Sequence, residues 1–149
     1  EYAAWGVGKL WEAGVHIMGG GAGRDMAAHW PASTEPYAAP MNAIPKIIFS
    51  RTLSAVAWDG ASINGGELGA EIERLKRQPG KRILAHGGAS FARALTQLGL
   101  VDEYRLIVHP VALGEGLPLF PALPEPLTLK LHEQRAFATG VCVNVYRRA

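Results

Sequence analysis

Gly87 and Gly88 follow the apolar run Ile83-Leu84-Ala85 and stand directly before a segment with helical patterning. A strand, a glycine pair and a helix in that order can make an anion site. Glycine has no Cβ, so a ligand can approach its backbone closely. The first N–H groups of a helix have no partner within it, and the helix dipole favours negative charge at that end. Phe91, Ala94, Leu95 and Leu98 recur at helical spacing and give the segment one apolar face, with Gly99 as its stop.

Two other apolar runs end in residues with ligand chemistry. Val15-His16-Ile17-Met18 leads into Gly19-Gly20-Gly21-Ala22-Gly23, and Lys46-Ile47-Ile48-Phe49 leads into Ser50-Arg51-Thr52. In an open α/β sheet ligands gather at the carboxyl ends of the strands, so three such ends suit one dinucleotide. Arg51 and its flanking hydroxyls can hold a phosphate through charge-assisted hydrogen bonds. If that phosphate is a 2′-phosphate, the cofactor is NADPH rather than NADH. The plainer reading is an exposed Arg51 beside a Thr52 that caps a turn. Either glycine loop alone also reads as a simple turn, and only their coincidence argues for a site. The run at 19–23 is not the common dinucleotide fingerprint. Arg24 stands where the last glycine should be, and no acid follows on a strand end at the usual distance, which disfavours an ordinary Rossmann dehydrogenase.

Other chemistries fit less well. Gly88-Ala89-Ser90-Phe91-Ala92 nearly spells the hydrolase nucleophile elbow, and Asp102 then His109 or His132 follow in hydrolase order. Ala92 replaces its last glycine, and Asp102 and His109 fall within one strand run. His16, His29, His86, His109 and His132 share no ligand spacing on one helix, so no metal site is expected. Cys142 is the only cysteine, which excludes a disulfide framework and a thiolate cluster. A net charge of +2 with scattered basic residues gives no argument for nucleic acid. Apolar runs are too short to span a membrane, and no signal-peptide pattern is present. With 48% hydrophobic and 19% charged residues, the chain is expected to be a folded, soluble, cytoplasmic protein.

The positioning elements follow from periodicity. Residues 2–13 read as a helix weakened by Gly6 and Gly8, and 24–30 as a short helix. Residues 31–45 carry four prolines and read as a loop. A brief strand is expected over 55–58, with Asp59-Gly60 as a turn. Residues 67–78 form an amphipathic helix with Leu68, Ile72 and Leu75 inward, ended by Pro79-Gly80. A second apolar strand opens at Val101-Asp102-Glu103-Tyr104, and a Gly/Pro-rich connection spans 114–126. Leu127, Leu129 and Leu131, then Val141, Val143 and Val145, alternate with polar positions around Thr139-Gly140, which predicts an antiparallel hairpin. The expected fold is α/β: one three-layer domain with a mostly parallel central sheet, helices on both faces and a C-terminal antiparallel hairpin.

Several motifs in order carry a family resemblance. They are Trp30-Pro31, Lys46 through Leu53, Leu75-Lys76 with Pro79-Gly80-Lys81, His86-Gly87-Gly88-Ala89, Gly99 through Leu106, His109-Pro110-Val111, and Leu113 through Phe120. In these the chain resembles the dihydrofolate reductase-like superfamily, in the branch of the reductase domain of the riboflavin-biosynthesis deaminase-reductase. The resemblance implies one domain over residues 1–149, lacking the first strand and loop with which relatives begin and which wall the substrate pocket. It implies NADPH as cofactor and hydride transfer to a small heterocyclic or carbonyl substrate, such as a pyrimidine ribose derivative or a pterin. It also implies a homodimer. By the same resemblance Gly87 and Gly88 lie beside the nicotinamide and pyrophosphate, and Ala89, Ser90 and Phe91 open the phosphate-binding helix. Ser50, Arg51 and Thr52 hold the adenosine-side phosphate, and Gly20 and Gly21 lie against the other face of the cofactor. The chain departs from its relatives in two places. Gly20 and Ala22 stand where many carry arginine and threonine, and Ala3 falls where folate reductases place a carboxylate, so folate specificity is not implied. The competing reading is a non-catalytic nucleotide-binding or dimerisation module of the same fold.

Overall fold

The computed structural model describes residues 1–120 and 122–149; Pro121, within the expected connection over 114–126, lies outside them. The described residues form thirteen elements. Helix α1 (Tyr2–Trp11) turns directly into strand β1 (Ala13–Gly19), which leads into α2 (Gly20–His29). After a 3-10 turn (Trp30–Ala32) come α3 (Ala38–Ala43), β2 (Lys46–Phe49) and β3 (Ala61–Asn64). Then follow α4 (Leu68–Arg77), β4 (Arg82–Ala85), α5 (Ala89–Gln97) and β5 (Glu103–Val108). Strands β6 (Leu129–Ala136) and β7 (Cys142–Arg148) close the chain.

Four strands form a parallel sheet in the order β3-β2-β1-β4, and β5-β7-β6 form a separate antiparallel sheet. The parallel sheet, the helices on both faces and the terminal hairpin agree with the expectation. The hairpin gains a third strand, because β5 pairs with β7 rather than with the parallel sheet. On one face of the parallel sheet Ile17, Ile72, Phe91 and Leu95 pack α4 and α5. On the other, Met18, Met41, Ile48 and Trp58 pack α2 and α3. Helix α1 spans both sheets: Leu10 joins the second cluster, while Tyr2 and Trp5 cover Phe137, Val141, Val143 and Val145 of the hairpin.

Three expectations are corrected. The glycine run at 19–23 is not a loop, since α2 starts at Gly20. Glycine is a poor helix former, yet a Cβ at Gly23 would sit 2.7 Å from Ile48 Cγ2, and only glycine lets the helix lie that close to β2. The proline-rich 31–45 segment holds α3, with Pro40 in its first turn, where a missing N–H costs no helix bond. The third strand is β3 and not 55–58. The apolar Trp58 there is buried in the second cluster, and its indole donates to Asn42 Oδ1 (2.9 Å). Lys46 is also buried: its ammonium donates to the carbonyls of Met41 (3.0 Å) and Asn42 (2.8 Å), closing the C-terminus of α3, and lies over the Trp58 ring.

Candidate functional site

The strand order locates the crevice. From β1 the chain moves outward to β2 and β3, then crosses back to place β4 on the other flank of β1. The order therefore reverses between β1 and β4, and the carboxyl ends of those two strands flank the place where open α/β sheets bind ligands. Each of these strands runs straight into a helix. Gly19 is the N-cap of α2 and Gly88 that of α5, and neither provides a side-chain capping bond. In α5 the first internal bond is from Ala92 N–H to Gly88 O (3.1 Å), so the amides of Ala89, Ser90 and Phe91 are not used within the helix. The two helix starts adjoin, since a Cβ on Gly88 would lie 4.0 Å from that of Ala22. Two helix dipoles thus present their positive ends side by side.

The tip of β2 adjoins on the other flank. A Cβ on Gly20 would meet Ser50 Oγ at 3.0 Å. The Ser50 hydroxyl accepts from the amides of Thr52 (3.2 Å) and Leu53 (3.0 Å) and lies 3.3 Å from the Thr52 hydroxyl. Ser50, rather than Thr52, thus caps this turn. Arg51 projects from it, exposed, and among the described residues no carboxylate pairs with it. Its charge reaches Glu67, whose carboxyl is held below the usual range first by the backbone amides of Ala70 and Gly69 that it caps.

All ten expected site residues lie at these three tips, with different roles. Gly87, Gly88, Ala89 and Ser90 line the open start of α5. Gly88 has φ +94, a conformation that suits glycine, and a Cβ on Gly87 would touch nothing within 4 Å. Phe91 contributes only its amide, because its ring is buried in the core and stacks on Phe49 at 5.9 Å. Gly20 and Gly21 belong to the first turn of α2. Gly20 permits the approach of Ser50, while Gly21 is open.

One pair escaped the sequence. His86, just before Gly87, places Nε2 3.0 Å from Nδ1 of His16, seventy residues away on β1. Burial pushes His16 down to about 4 and His86 down to about 3, and the proximity of His16 adds to the second shift. With both values well below 7, the two imidazoles are neutral at pH 7. The only signal in the sequence was a histidine on each of two apolar strands; the pairing register created the contact.

The remaining candidates separate. Asp102 pairs with Lys76 (2.8 Å) and the His109 ring lies against Tyr2, so neither forms a triad with Ser90. Glu103 receives Arg82 (3.0 Å), Arg105 (2.9 Å) and Arg147 (3.0 Å). Burial pushes its carboxyl up, and the arginine hydrogen bonds outweigh that and hold it below the usual range. Glu103 ties β4, β5 and β7 together, and Asp102 ties the entry to β5 to α4. Among the described residues no cluster of His, Cys, Asp and Glu could hold a metal, and no helix is long and apolar enough to cross a membrane.

Comparison with known proteins agrees with this architecture. The sequence profile of the RibD C-terminal domain matches residues 7–143. A Shewanella sp. PV-4 protein provisionally assigned to riboflavin biosynthesis superposes with a TM-score of 0.77 at 23% identity, covering 96% of this chain and 78% of that one. The diaminohydroxyphosphoribosylaminopyrimidine deaminase/5-amino-6-(5-phosphoribosylamino)uracil reductase of Thermotoga maritima superposes at 0.66 with 13% identity, over 100% of this chain and 49% of its own. YyaP of Bacillus subtilis (strain 168), itself uncharacterized, is 45% identical over 101 residues, 68% of this chain and 53% of YyaP. The chain spans about half the length of the curated relatives it matches. It belongs to the RibD C-terminal domain family and has that family's dihydrofolate reductase-like fold.

Proposed function

We propose that the chain is an NADPH-dependent reductase acting on a small heterocyclic or carbonyl substrate. The observation that carries this reading is the pair of uncapped helix starts at adjacent parallel strand ends, with the exposed cation of Arg51 on the next strand end. This donor set fits a dinucleotide. The amides of Ala89, Ser90 and Phe91 suit a pyrophosphate, Gly87 and Gly88 leave room for close approach, and Arg51 with the Thr52 hydroxyl suits a further phosphate. The cofactor, when bound, supplies the hydride, and the chain has to orient it and exclude water. The reductase activity of the Thermotoga relative makes a phosphoribosylaminouracil the first acceptor to test.

Titration with NADPH and with NADH, followed by fluorescence, tests the reading. Arg51→Ala should weaken NADPH about tenfold, the loss of roughly one charge-assisted hydrogen bond, and leave NADH within about twofold. Failure of the wild-type chain to bind either nucleotide, or equal weakening of both by Arg51→Ala, contradicts it. Binding without turnover of any acceptor identifies the non-catalytic module instead.

A further inference from the structure

The contact between His16 and His86 decides which atom His86 offers to the space beside it. Strands β1 and β4 are parallel with His16 opposite Leu84, and residues two apart share a face, so His16, Leu84 and His86 stand on one side of the sheet. The two rings lie 4.6 Å apart between centroids, and Nε2 of His86 meets Nδ1 of His16 at 3.0 Å. A neutral imidazole carries one N–H and one bare nitrogen, so one of the facing nitrogens donates and the other accepts. The carbonyl of Leu10, in the last turn of α1, faces the His16 ring and favours a proton on it. Nδ1 of His16 is taken up by His86, so that proton sits on Nε2. Nδ1 of His16 is then the acceptor and Nε2 of His86 the donor, which leaves Nδ1 of His86 as a bare lone pair.

Among the described residues that lone pair has no protein partner, and it is not sealed from solvent. The two nitrogens of an imidazole point to opposite sides of the ring, so with Nε2 turned to β1, Nδ1 turns away from it. His86 lines a cleft of about 1210 Å³ that follows β4 as far as Gly87. Ile17, Leu84 and Ala85 beside it are apolar, and Trp5 and Trp30 line the same cleft. Ligand pockets are built this way, mostly apolar with a few placed polar groups that fix the ligand's orientation. A merely structural pair has no need of an open nitrogen. Two aliphatic side chains would fill the same strand face without the cost of burying imidazoles.

We propose that His86 determines specificity: its Nδ1 accepts a hydrogen bond from the amide-type N–H of a flat ring bound in the cleft, and His16 is the positioning residue that holds it in that tautomer. This inference rests on the reductase reading, which supplies two such rings. One is the nicotinamide, through its carboxamide N–H. The other is the acceptor heterocycle, through a lactam N–H. Either is favoured over an analogue that offers only a carbonyl, because the analogue sets two acceptors against each other and leaves both unpaired. A histidine free to change tautomer would donate to the carbonyl instead and make no such distinction. The bond to His16 removes that freedom.

Nitrogen NMR of the histidine side chains tests this, first on the chain without ligand. At pH 7 both His16 and His86 should carry their proton on Nε2. A proton on Nδ1 of His86 overturns the proposal, whatever the chain reduces. The probes are NADPH against its acetylpyridine analogue, in which a methyl ketone replaces the carboxamide, and then uracil against N,N′-dimethyluracil, each added to the NADPH complex. Nδ1 of His86 should move to its hydrogen-bonded position with NADPH or with uracil, and not with the matching probe that lacks the N–H. Movement with NADPH names the cofactor as the source, and movement only with uracil names the acceptor. Shifts of the Gly87 and Gly88 amides with His86 Nδ1 unmoved would overturn the proposal and leave the reductase reading standing. No shift at either glycine with any probe would sink both. His86→Phe keeps a flat ring and should bind the N–H probe about tenfold more weakly, with its N–H-free partner within about twofold. Equal weakening of the two contradicts the proposal. In His16→Leu the His86 ring should show both tautomers, and a single Nε2–H form there would show that His16 does not set it.

Discussion

Glycines follow two neighbouring parallel strands, and Gly19, Gly20 and Gly23 beyond β1 do different work from Gly87 and Gly88 beyond β4. Beyond β1, a Cβ at Gly23 would lie 2.7 Å from Ile48, one at Gly20 would lie 3.0 Å from Ser50 and one at Gly19 would lie 3.3 Å from Phe91. Those glycines let a helix and two side chains close in. Beyond β4, Gly87 faces open space, and Gly88 adopts φ +94 with nothing nearer than 4.0 Å. There glycine supplies a backbone conformation and leaves room. A glycine next to a strand end is thus no evidence of a ligand by itself; what a Cβ would strike distinguishes packing from access.

Substitutions and pH should separate the two ends. Gly23→Ala should have the largest effect, a loss of about 2–3 kcal/mol measured by urea unfolding, because the added methyl overpacks Ile48. A loss below about 0.5 kcal/mol would show that α2 shifts freely and would erase the contrast.

The His16–His86 pair links the two strands below their tips, and acid should act there next. Burial lowers both pKa values in the folded state, to about 4 and about 3. The unfolded chain, with histidines near 6.5, therefore binds more protons between these limits. Stability is full above about pH 6.5 and falls as the pH drops toward 4, by about 2 kcal/mol per histidine between pH 6.5 and 4.5. His16→Gln should flatten that part of the profile, and an unchanged slope would place the acid sensitivity elsewhere.

Gly88→Ala should cost about 1–2 kcal/mol from the positive φ and should also weaken NADPH. Gly87→Ala should be the mildest in stability, within about 0.5 kcal/mol of wild type, while lowering NADPH affinity about tenfold. If Gly87→Ala leaves binding untouched, the open space at that residue is not where the nucleotide lies.

Much of this arrangement was legible in the residues. Apolar runs marked β1, β2 and β4. Helical spacing marked α4 and α5, and Gly99 (φ +68) and Gly140 (φ +84) stop or turn the chain where a left-handed backbone is needed. What stayed hidden depended on distant packing. The start of α2 conflicts with helix propensity and becomes clear only beside Ile48. Ala61-Ser62-Ile63-Asn64 has a weak strand pattern and forms β3 because it pairs in register with Lys46 through Phe49. The neighbouring Trp58 misled because core burial and strand membership both select apolar residues. At the site, strand stops located the three tips, but the capping role of the Ser50 hydroxyl and the inward turn of Phe91 arise only from the packed fold.

The central claim is that one nucleotide bridges the ends of β2 and β4. Amide chemical shifts of the isotopically labelled chain during NADPH titration test it most directly. The account predicts that Arg51 and Thr52 shift together with Gly87, Gly88, Ala89 and Ser90 along one saturation curve. Shifts confined to a single strand end, or two groups saturating at different concentrations, would contradict it.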